Sequence, residues 1–358
     1  MMSKIILYLS LSFFLVLQPA CMKEENLNRP YTGYAPEIIG DSWMISNPEA
    51  ENMDSQMIEQ VYLDFFNEGR YPTAQSLLIV RHGKLVAEAY CKDAGDLLSL
   101  HNLKSATKSI TSILAGILLD MGELESLDSR LYDFLPDYFD QDIRKQDITI
   151  RHVLAMETGL DFNDDLHTRE MLYNPGSSLK YVLDKDLVFD PGTDWYYGDG
   201  NPQLISGLIH QLTGKIESEF AEEYLFGPLG ISNYRWETTQ DSLSLGSIGL
   251  WLTPRDMAKI GLLMANKGMW HGTRVVSESW VDESTSVQSM FHNYGYYWYP
   301  IEDIAFFAEG HGGQLIWVCP EHDLVVVITS DPSAKSWNLS TPYTGIFGGI
   351  FASMTDRA

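Results

Sequence analysis

The most informative stretch of the sequence is Ser105-Ala106-Thr107-Lys108. Apolar residues follow it at helical spacing and predict a helix that ends at Gly122: Ile110, Ile113, Leu114, Ile117, Leu118 and Met121. Ser105 and Lys108 then share one helix face, so the lysine amine can reach the serine hydroxyl. Because a serine needs a neighbouring base to become a nucleophile, the stretch predicts a nucleophile and its base. Free backbone N–H groups at the helix N-terminus would favour a developing oxyanion.

Ser-x-x-Lys is a short pattern, and a capping serine followed by a surface lysine is the ordinary alternative. A lysine that acts as a base must be neutral, which calls for a partly buried site with positive charge nearby. The chemical interpretation of Ser105 and Lys108 therefore depends on what other stretches of the chain supply.

Two glycine-rich stretches supply candidate partners. The first runs from Pro191 to Gly200 and carries Tyr197, which could share a proton with Ser105 and later protonate a leaving group. The second is Gly310-His311-Gly312-Gly313-Gln314, whose glycines would let a strand edge approach a ligand closely. His311 could hydrogen-bond Tyr197 or a substrate oxygen, the alternative being a solvated histidine in a hairpin turn.

Two predicted hairpins stand near opposite ends of the chain. Their strands are at 77–80, 85–90, 315–318 and 324–329. Helices are predicted at 57–66, from Asn201-Pro202, from Thr253-Pro254 and at 342–354. This order predicts an α+β fold in which both hairpins join one antiparallel sheet flanked by helices, while the middle of the chain forms a helical lobe. The site is expected in the cleft between the lobes.

Taken together and in this order, the three stretches resemble the motifs of the serine β-lactamase and penicillin-binding-protein superfamily. Ser105-Ala-Thr-Lys108 matches Ser-x-x-Lys. Tyr197-Gly198-Asp199 takes the place of the Tyr-x-Asn of the class C branch, and His311-Gly312-Gly313 that of Lys-Thr-Gly. Flanking sequence at 148–154 and 252–258 is similar to that branch as well, and the likeness spans roughly residues 75 to 355.

The resemblance implies a β-lactamase/transpeptidase-like fold and hydrolysis through an acyl-enzyme. Ser105 would attack a carbonyl carbon, and Lys108, Tyr197 and His311 would complete the catalytic residues. The backbone N–H groups of Ser105 and Gln314 would form the oxyanion hole. The substrate-pocket positions that the resemblance implies are Asp199, Gly312, Gly313 and Trp195, although packing is the ordinary role for the tryptophan. No cofactor is required.

Two departures from the motifs bear on the substrate. Asp199 replaces the usual asparagine, and His311 replaces the lysine that pairs with the carboxylate of β-lactams and peptidoglycan stems. A pocket without a fixed positive charge fits anionic substrates poorly. The His-Gly-Gly form resembles the esterase and 6-aminohexanoate-dimer hydrolase branch, so hydrolysis of an ester or small amide is predicted. The alternatives are a D-alanyl-D-alanine carboxypeptidase or β-lactamase, and a non-catalytic surface binding lipoprotein on the same fold.

The N-terminus has the pattern of an export signal. Lys4 precedes an apolar run from Ile5 to Leu17, which suits a secretory signal better than a membrane span. Residues 1–20 are therefore predicted to be a signal peptide. The end of the signal resembles a loose lipobox, which predicts a lipidated Cys21. We expect an outer-membrane or cell-surface lipoprotein with a tether at 21–45, and ordinary cleavage would instead give a periplasmic or secreted protein.

The predicted hydrolase domain covers residues 46–358, with a sheet lobe at 46–115 and 285–358 and a helical lobe at 116–284. The formal net charge of −25 repels phosphate backbones, so nucleic acid is not an expected partner. The nine histidines show no metal-ligand spacing, so no metal is expected. The aromatic run at 294–299 is expected to pack against the sheet, with a pocket wall as the alternative. The sequence leaves open the oligomeric state and whether Cys91 and Cys319 pair.

Overall fold

The computed structural model describes residues 31–66, 71, 73–91, 94–139, 141–302, 304–331 and 342–356. The predicted signal peptide, the predicted lipidation site Cys21 and the first part of the predicted tether lie outside these residues. Among the described residues, no helix combines the length and the apolar character that crossing a membrane requires.

The long strands come early and late in the described chain, and most helices lie between them, as the sequence predicts. The α-helices are α1 Ser55–Phe65, α2 Thr107–Met121, α3 Leu131–Phe134, α4 Ile150–Leu154, α5 Asp164–Leu172, α6 Ser178–Leu183, α7 Gly200–Thr213, α8 Glu217–Ala221, α9 Gly227–Leu229, α10 Pro254–Ala265, α11 Glu278–Thr285 and α12 Pro342–Ser353. The strands are β1 Ala74–Arg81, β2 Lys84–Tyr90, β3 His101–Asn102, β4 Arg235–Trp236, β5 Leu250–Leu252, β6 Met269–Trp270, β7 Thr273–Arg274, β8 Tyr299–Ile301, β9 Ala305–Gly310, β10 Gln314–Cys319 and β11 Leu324–Ser330.

One six-stranded antiparallel sheet joins the two ends of the chain. Its order is β2-β1-β11-β10-β9-β8, so the first hairpin pairs directly with the last strand. Leu77 and Ile79 face one hydrophobic core while Leu78 and Val80 face the other, because successive side chains of a strand point to opposite sides. The predicted α+β class and the joining of the two hairpins in one sheet are confirmed.

Helices cover both faces of this sheet. Helices α1 and α12 pack together on one face, in the core that holds Leu77 and Ile79. Helix α10 packs on strands β10 and β11 of the other face, where a Cβ on Gly261 would lie 2.5 Å from a methyl group of Val325. The predicted helical lobe at 116–284 includes α10, whose buried side faces the sheet. The lobe boundaries stay a prediction.

Helix α2 is the centre of the helical part of the molecule. It is buried at every position from Thr107 to Leu118, because α7, α8 and α11 pack around it. Gly116 allows the closest of these approaches, since a Cβ there would lie 2.3 Å from the indole of Trp280 on α11. The helix ends at Gly122 in the left-handed conformation (φ 75°), as predicted.

The segment 31–45 is not a free tether. The carbonyl oxygen of Tyr34 accepts a hydrogen bond from the Glu88 backbone N–H (2.8 Å), and that of Met44 accepts one from the Leu85 N–H (2.9 Å). The segment therefore covers the open edge of β2, which would otherwise present unpaired backbone groups. Arg255 on α10 fixes it further through an ion pair with Asp41 (2.7 Å).

Two smaller predictions have different outcomes. Helix α7 begins at Gly200 rather than after Asn201, because the Asn201 side chain bonds Thr158 (2.8 Å) and Met156 instead of capping the helix. Helix α10 begins as predicted, with the hydroxyl of Thr253 accepting a hydrogen bond from the Asp256 N–H. Cys91 and Cys319 are both buried, and no disulfide joins them.

Candidate active site

A strained turn presents Ser105 at the start of α2. The residue before it, Lys104, has a left-handed backbone (φ 51°), which is uncommon for a residue with a side chain. The Lys104 N–H donates to the carboxamide oxygen of Asn102 (2.8 Å), and this bond holds the turn. A single 3-10 turn, Lys104–Ala106, then leads into α2 and leaves Ser105 partly exposed.

Lys108 is buried (1% exposed), and its ammonium meets three acceptors. Its Nζ lies 2.9 Å from Ser105 Oγ, 2.6 Å from Asp199 Oδ1 and 3.2 Å from the carbonyl oxygen of Ser247. Three acceptors match the three N–H donors of a protonated lysine. A neutral lysine base would need positive charge nearby, whereas the structure places the carboxylate of Asp199 against the amine.

Asp199 is held between the helical segments rather than exposed in the pocket. Its second oxygen accepts a hydrogen bond from the Thr168 hydroxyl (2.6 Å), and its backbone N–H donates to Asp164 Oδ1 (2.7 Å). Thr168 and Asp164 both lie on α5. Sequence reasoning missed these two residues and the Lys108–Asp199 pair, because nothing in the spacing of α5 marks it as part of the site.

Asp164 carries an unusual proton. Burial, followed by the neighbouring negative charge of Asp199, raises the pKa of Asp164 to about 7. The unfolded chain ionises this group near its ordinary value of 3.8, so the folded protein holds the extra proton between that pH and about 7. The free energy of unfolding should therefore fall as pH rises through this window and level off above it.

The variant Asp164→Asn should remove this pH dependence, because its amide oxygen still accepts the Asp199 N–H but cannot ionise. We expect the wild type to lose stability between pH 5 and 7 by less than about 1.4 kcal/mol per pH unit relative to the variant. Urea unfolding at pH 5, 6, 7 and 8 measures the free energy of unfolding at each pH. Asp165→Asn, at the exposed neighbouring residue, is the control and should leave the pH dependence of the wild type unchanged. Equal pH dependence in the wild type and Asp164→Asn would contradict the raised pKa of Asp164.

Tyr197 lies against both Ser105 and Lys108. Its hydroxyl hydrogen-bonds Ser105, and Lys108 Nζ is 4.9 Å from the centre of its ring. Burial raises the pKa of Tyr197 well above the ordinary value, and the charges of Asp199, Asp164 and Glu309 raise it further. Tyr197 is therefore a phenol in the resting site and can donate a proton.

The glycine-rich turn closes the site from the sheet side. Gly310 lies against the Ser105 turn so closely that a Cβ would meet the carbonyl oxygen of Leu103 at 2.0 Å, and Gly312 and Gly313 have φ of 88° and 94°. The buried side chain of Gln314 bonds the backbone of Ser330, with distances of 2.6 and 3.3 Å. The oxyanion role of its backbone N–H stays a prediction.

His311 is exposed at this turn and is neutral at pH 7. Partial burial, helped by the nearby charge of Lys104, lowers the pKa of its imidazole. Its predicted hydrogen bond to Tyr197 or to a substrate oxygen stays a prediction. Because the imidazole is neutral, it supplies no fixed positive charge to the pocket.

Aromatic side chains form a wall beside Tyr197. Trp195 stacks on His292 (centroids 4.1 Å apart) and packs edge-on against Tyr294 (5.7 Å), which also contacts the Tyr197 ring (6.3 Å). Trp298 and most of the run 294–299 are buried. The predicted packing role of that run is confirmed, and Tyr294 additionally joins it to the site.

Comparison with known proteins gives a consistent result. A model of the Beta-lactamase family matches residues 58–337. The 6-aminohexanoate-dimer hydrolase of Paenarthrobacter ureafaciens is 24% identical in an alignment that covers 86% of this chain and 82% of that protein. A family VIII carboxylesterase structure has a TM-score of 0.68 at 16% identity, covering 83% of this chain and 97% of the other. A penicillin-binding protein homologue from Caulobacter crescentus has a TM-score of 0.63 at 14% identity, covering 87% and 99%.

At these identities the two solved structures show a shared fold, the β-lactamase/transpeptidase-like fold that the sequence motifs imply. The family match is broader evidence, because it takes in most of the chain, from the first core helix to beyond the last strand of the sheet, and includes all three motifs. The chain therefore belongs to the Beta-lactamase family and is a serine hydrolase.

Proposed function

We propose that this hydrolase cleaves an ester or a small amide through an acyl-enzyme formed on Ser105. The observation that supports this most strongly is the 2.9 Å distance between Lys108 Nζ and Ser105 Oγ. The hydroxyl of Tyr197 also bonds the same serine. A nucleophile in contact with two proton carriers is the arrangement that nucleophilic catalysis requires.

Acylation begins when Ser105 Oγ attacks the substrate carbonyl carbon and gives up its proton. Lys108 can take that proton once it has passed one of its own to Asp199, whose Oδ1 is 2.6 Å away. Tyr197 then protonates the leaving oxygen or nitrogen and recovers a proton from Lys108. Asp199 finally returns its proton to Lys108, so the pair ends in its starting state.

Deacylation repeats the sequence with water as the nucleophile. The same groups accept a proton from the attacking water and return one to Ser105 as the ester bond breaks. In both steps the backbone N–H groups of Ser105 and Gln314 would stabilise the oxyanion, which is worth about 3 kcal/mol for each donor in related chemistry.

The charges around the site favour a substrate without a carboxylate. His311 is neutral at pH 7, while Asp199 and Asp164 place acidic groups around Tyr197. Glu309 adds a third carboxyl, which is uncharged at pH 7 because burial raises its pKa to about 8. An anionic β-lactam or peptidoglycan stem would therefore find no fixed positive charge here to pair with its carboxylate. Esters and small amides need no such charge.

Intact-protein mass spectrometry and a p-nitrophenyl ester assay test the proposal together. We expect a stable fluorophosphonate adduct, turnover of p-nitrophenyl butyrate, and no lasting adduct with penicillin. His311→Lys is the matched variant, because it restores the positive charge and should raise penicillin acylation by about tenfold or more. Rapid penicillin acylation of the wild type, with cleavage of a D-alanyl-D-alanine peptide, would favour the carboxypeptidase alternative instead.

A further inference from the structure

Glu217 is a buried carboxyl group that the proposed mechanism does not use. It opens helix α8 and has no exposed surface (0%). Its Oε1 lies 2.6 Å from the hydroxyl of Thr111, whereas Oε2 has no hydrogen-bond partner among the described residues. Burial raises the pKa of Glu217 to about 8. The group is therefore a neutral acid at pH 7.

Glu217 lies where the segments that carry the catalytic groups meet. Thr111 is one helical turn beyond Lys108 on α2, and its hydroxyl is also 2.8 Å from the carbonyl oxygen of Gly246. Gly246 and Ser247 form a short strap before β5. The strap runs in close contact with Glu217, since a Cβ on Gly246 would lie 3.0 Å from Oε2. The next carbonyl along the strap, that of Ser247, accepts a hydrogen bond from Lys108 (3.2 Å).

The Thr111 hydroxyl has one proton but two acceptors in reach. When Glu217 is protonated, it can donate to Thr111 Oγ1, and Thr111 then donates to the Gly246 carbonyl. When Glu217 is ionised, the carboxylate takes the Thr111 proton and the Gly246 carbonyl loses its donor. A buried carbonyl without a donor is costly, so the strap would then shift. The proton on Glu217 thus decides whether the strap stays in place.

We propose that Glu217 is a positioning residue that fixes the Gly246–Ser247 strap through Thr111 and thereby orients Lys108 toward Ser105. This rests on the proposed roles of Ser105 and Lys108. Two titratable groups near this connection bond elsewhere: Lys108 donates to Asp199, and the hydroxyl of Tyr297, on which the charge of Glu217 acts, donates to the Val153 carbonyl (3.0 Å). Ser206 on α7 also approaches the carboxyl.

The test uses variants of both partners. Glu217→Gln keeps a neutral donor toward Thr111, so its kcat for p-nitrophenyl butyrate should stay within about twofold of the wild type. Glu217→Ala and Thr111→Val remove the connection and should lower kcat by about tenfold or more through misplacement of Lys108, with little change in KM. Above pH 8 the wild type should lose more activity than Glu217→Gln, and the difference between the two profiles separates the ionisation of Glu217 from that of Glu309, whose pKa is also about 8. Glu219→Gln, on the exposed side of the same helix, is the matched control.

Each result has a definite meaning. If Glu217→Gln is as slow as Glu217→Ala, or keeps the alkaline decline of the wild type, the role of the neutral acid is overturned. Thr111→Val at full activity would also overturn it. Should Glu217→Ala not fold, the Glu217→Gln pH profile and Thr111→Val decide the matter. A wild type that fluorophosphonate fails to label would instead overturn the proposed function, and this inference with it.

Discussion

Ser105→Ala is expected to lower ester hydrolysis by about 10⁴-fold or more and to abolish labelling by fluorophosphonate. The loss is large because nucleophile and base act as a unit, so removing one removes the benefit of the other. The side chain of Ser105 is small and partly exposed, so the variant should fold normally. Steady-state rates with p-nitrophenyl butyrate and intact mass after labelling measure the effect.

Ser112→Ala is the matched control for this experiment. Ser112 lies on the same helix and is buried, and its hydroxyl has no hydrogen-bond partner among the described residues. Its removal should leave both the rate and the labelling unchanged. A Ser105→Ala protein that still forms the adduct would show that another residue is the nucleophile.

Lys108→Met is expected to lower kcat by about 10³-fold and to destabilise the fold by about 3–5 kcal/mol. The stability loss arises because a buried ion pair that loses one partner leaves the other charge uncompensated. Here that charge belongs to Asp199, which is 4% exposed. The stability loss should be smaller at pH 5 than at pH 8, since a proton can neutralise the stranded carboxylate. Urea unfolding at the two pH values, with ester kinetics, measures both effects.

The double variant Lys108→Met/Asp199→Asn separates stability from catalysis. It removes both charges and should regain much of the lost stability, while its activity stays as low as that of Lys108→Met. Lys180→Met is the contrasting control, because Lys180 forms an exposed pair with Asp184 (2.6 Å) that should contribute only about 0.3–0.5 kcal/mol. Full stability in the single Lys108→Met variant would show that the pair is not buried as described.

Much of the fold follows from local patterns that a sequence displays. The hairpin strands alternate or run apolar, Gly122 ends α2, and Thr253-Pro254 begins α10. The pairing of the two hairpins was also predictable. Their strands are apolar on both faces, which is typical of the interior of a larger sheet that helices cover on both sides. Local patterns do not show which neighbour a helix packs against, so the contact of α10 with the sheet could not be predicted from the sequence.

The residues of the candidate site also fall into those that the sequence displays and those that only the packing brings in. The three motifs that carry Ser105, Tyr197 and His311 are visible in the sequence because each combines a reactive group with a turn or helix start. Asp164, Thr168 and Ser247 reach the site only through the packing of α5 and of the loop before β5. The hydrogen bonds of Lys108 to Asp199 and to the Ser247 carbonyl depend on that packing, so local sequence patterns do not display them.

The pairing of β1 with β11 means that the central sheet needs chain segments more than 200 residues apart. Ala74 and Ser330 are partners in the ladder, so the sheet cannot form before the chain is present through Ser330. Ser105 and Lys108 are encoded well before strands β9, β10 and β11. A product truncated before Leu324 should therefore carry the nucleophile without any activity.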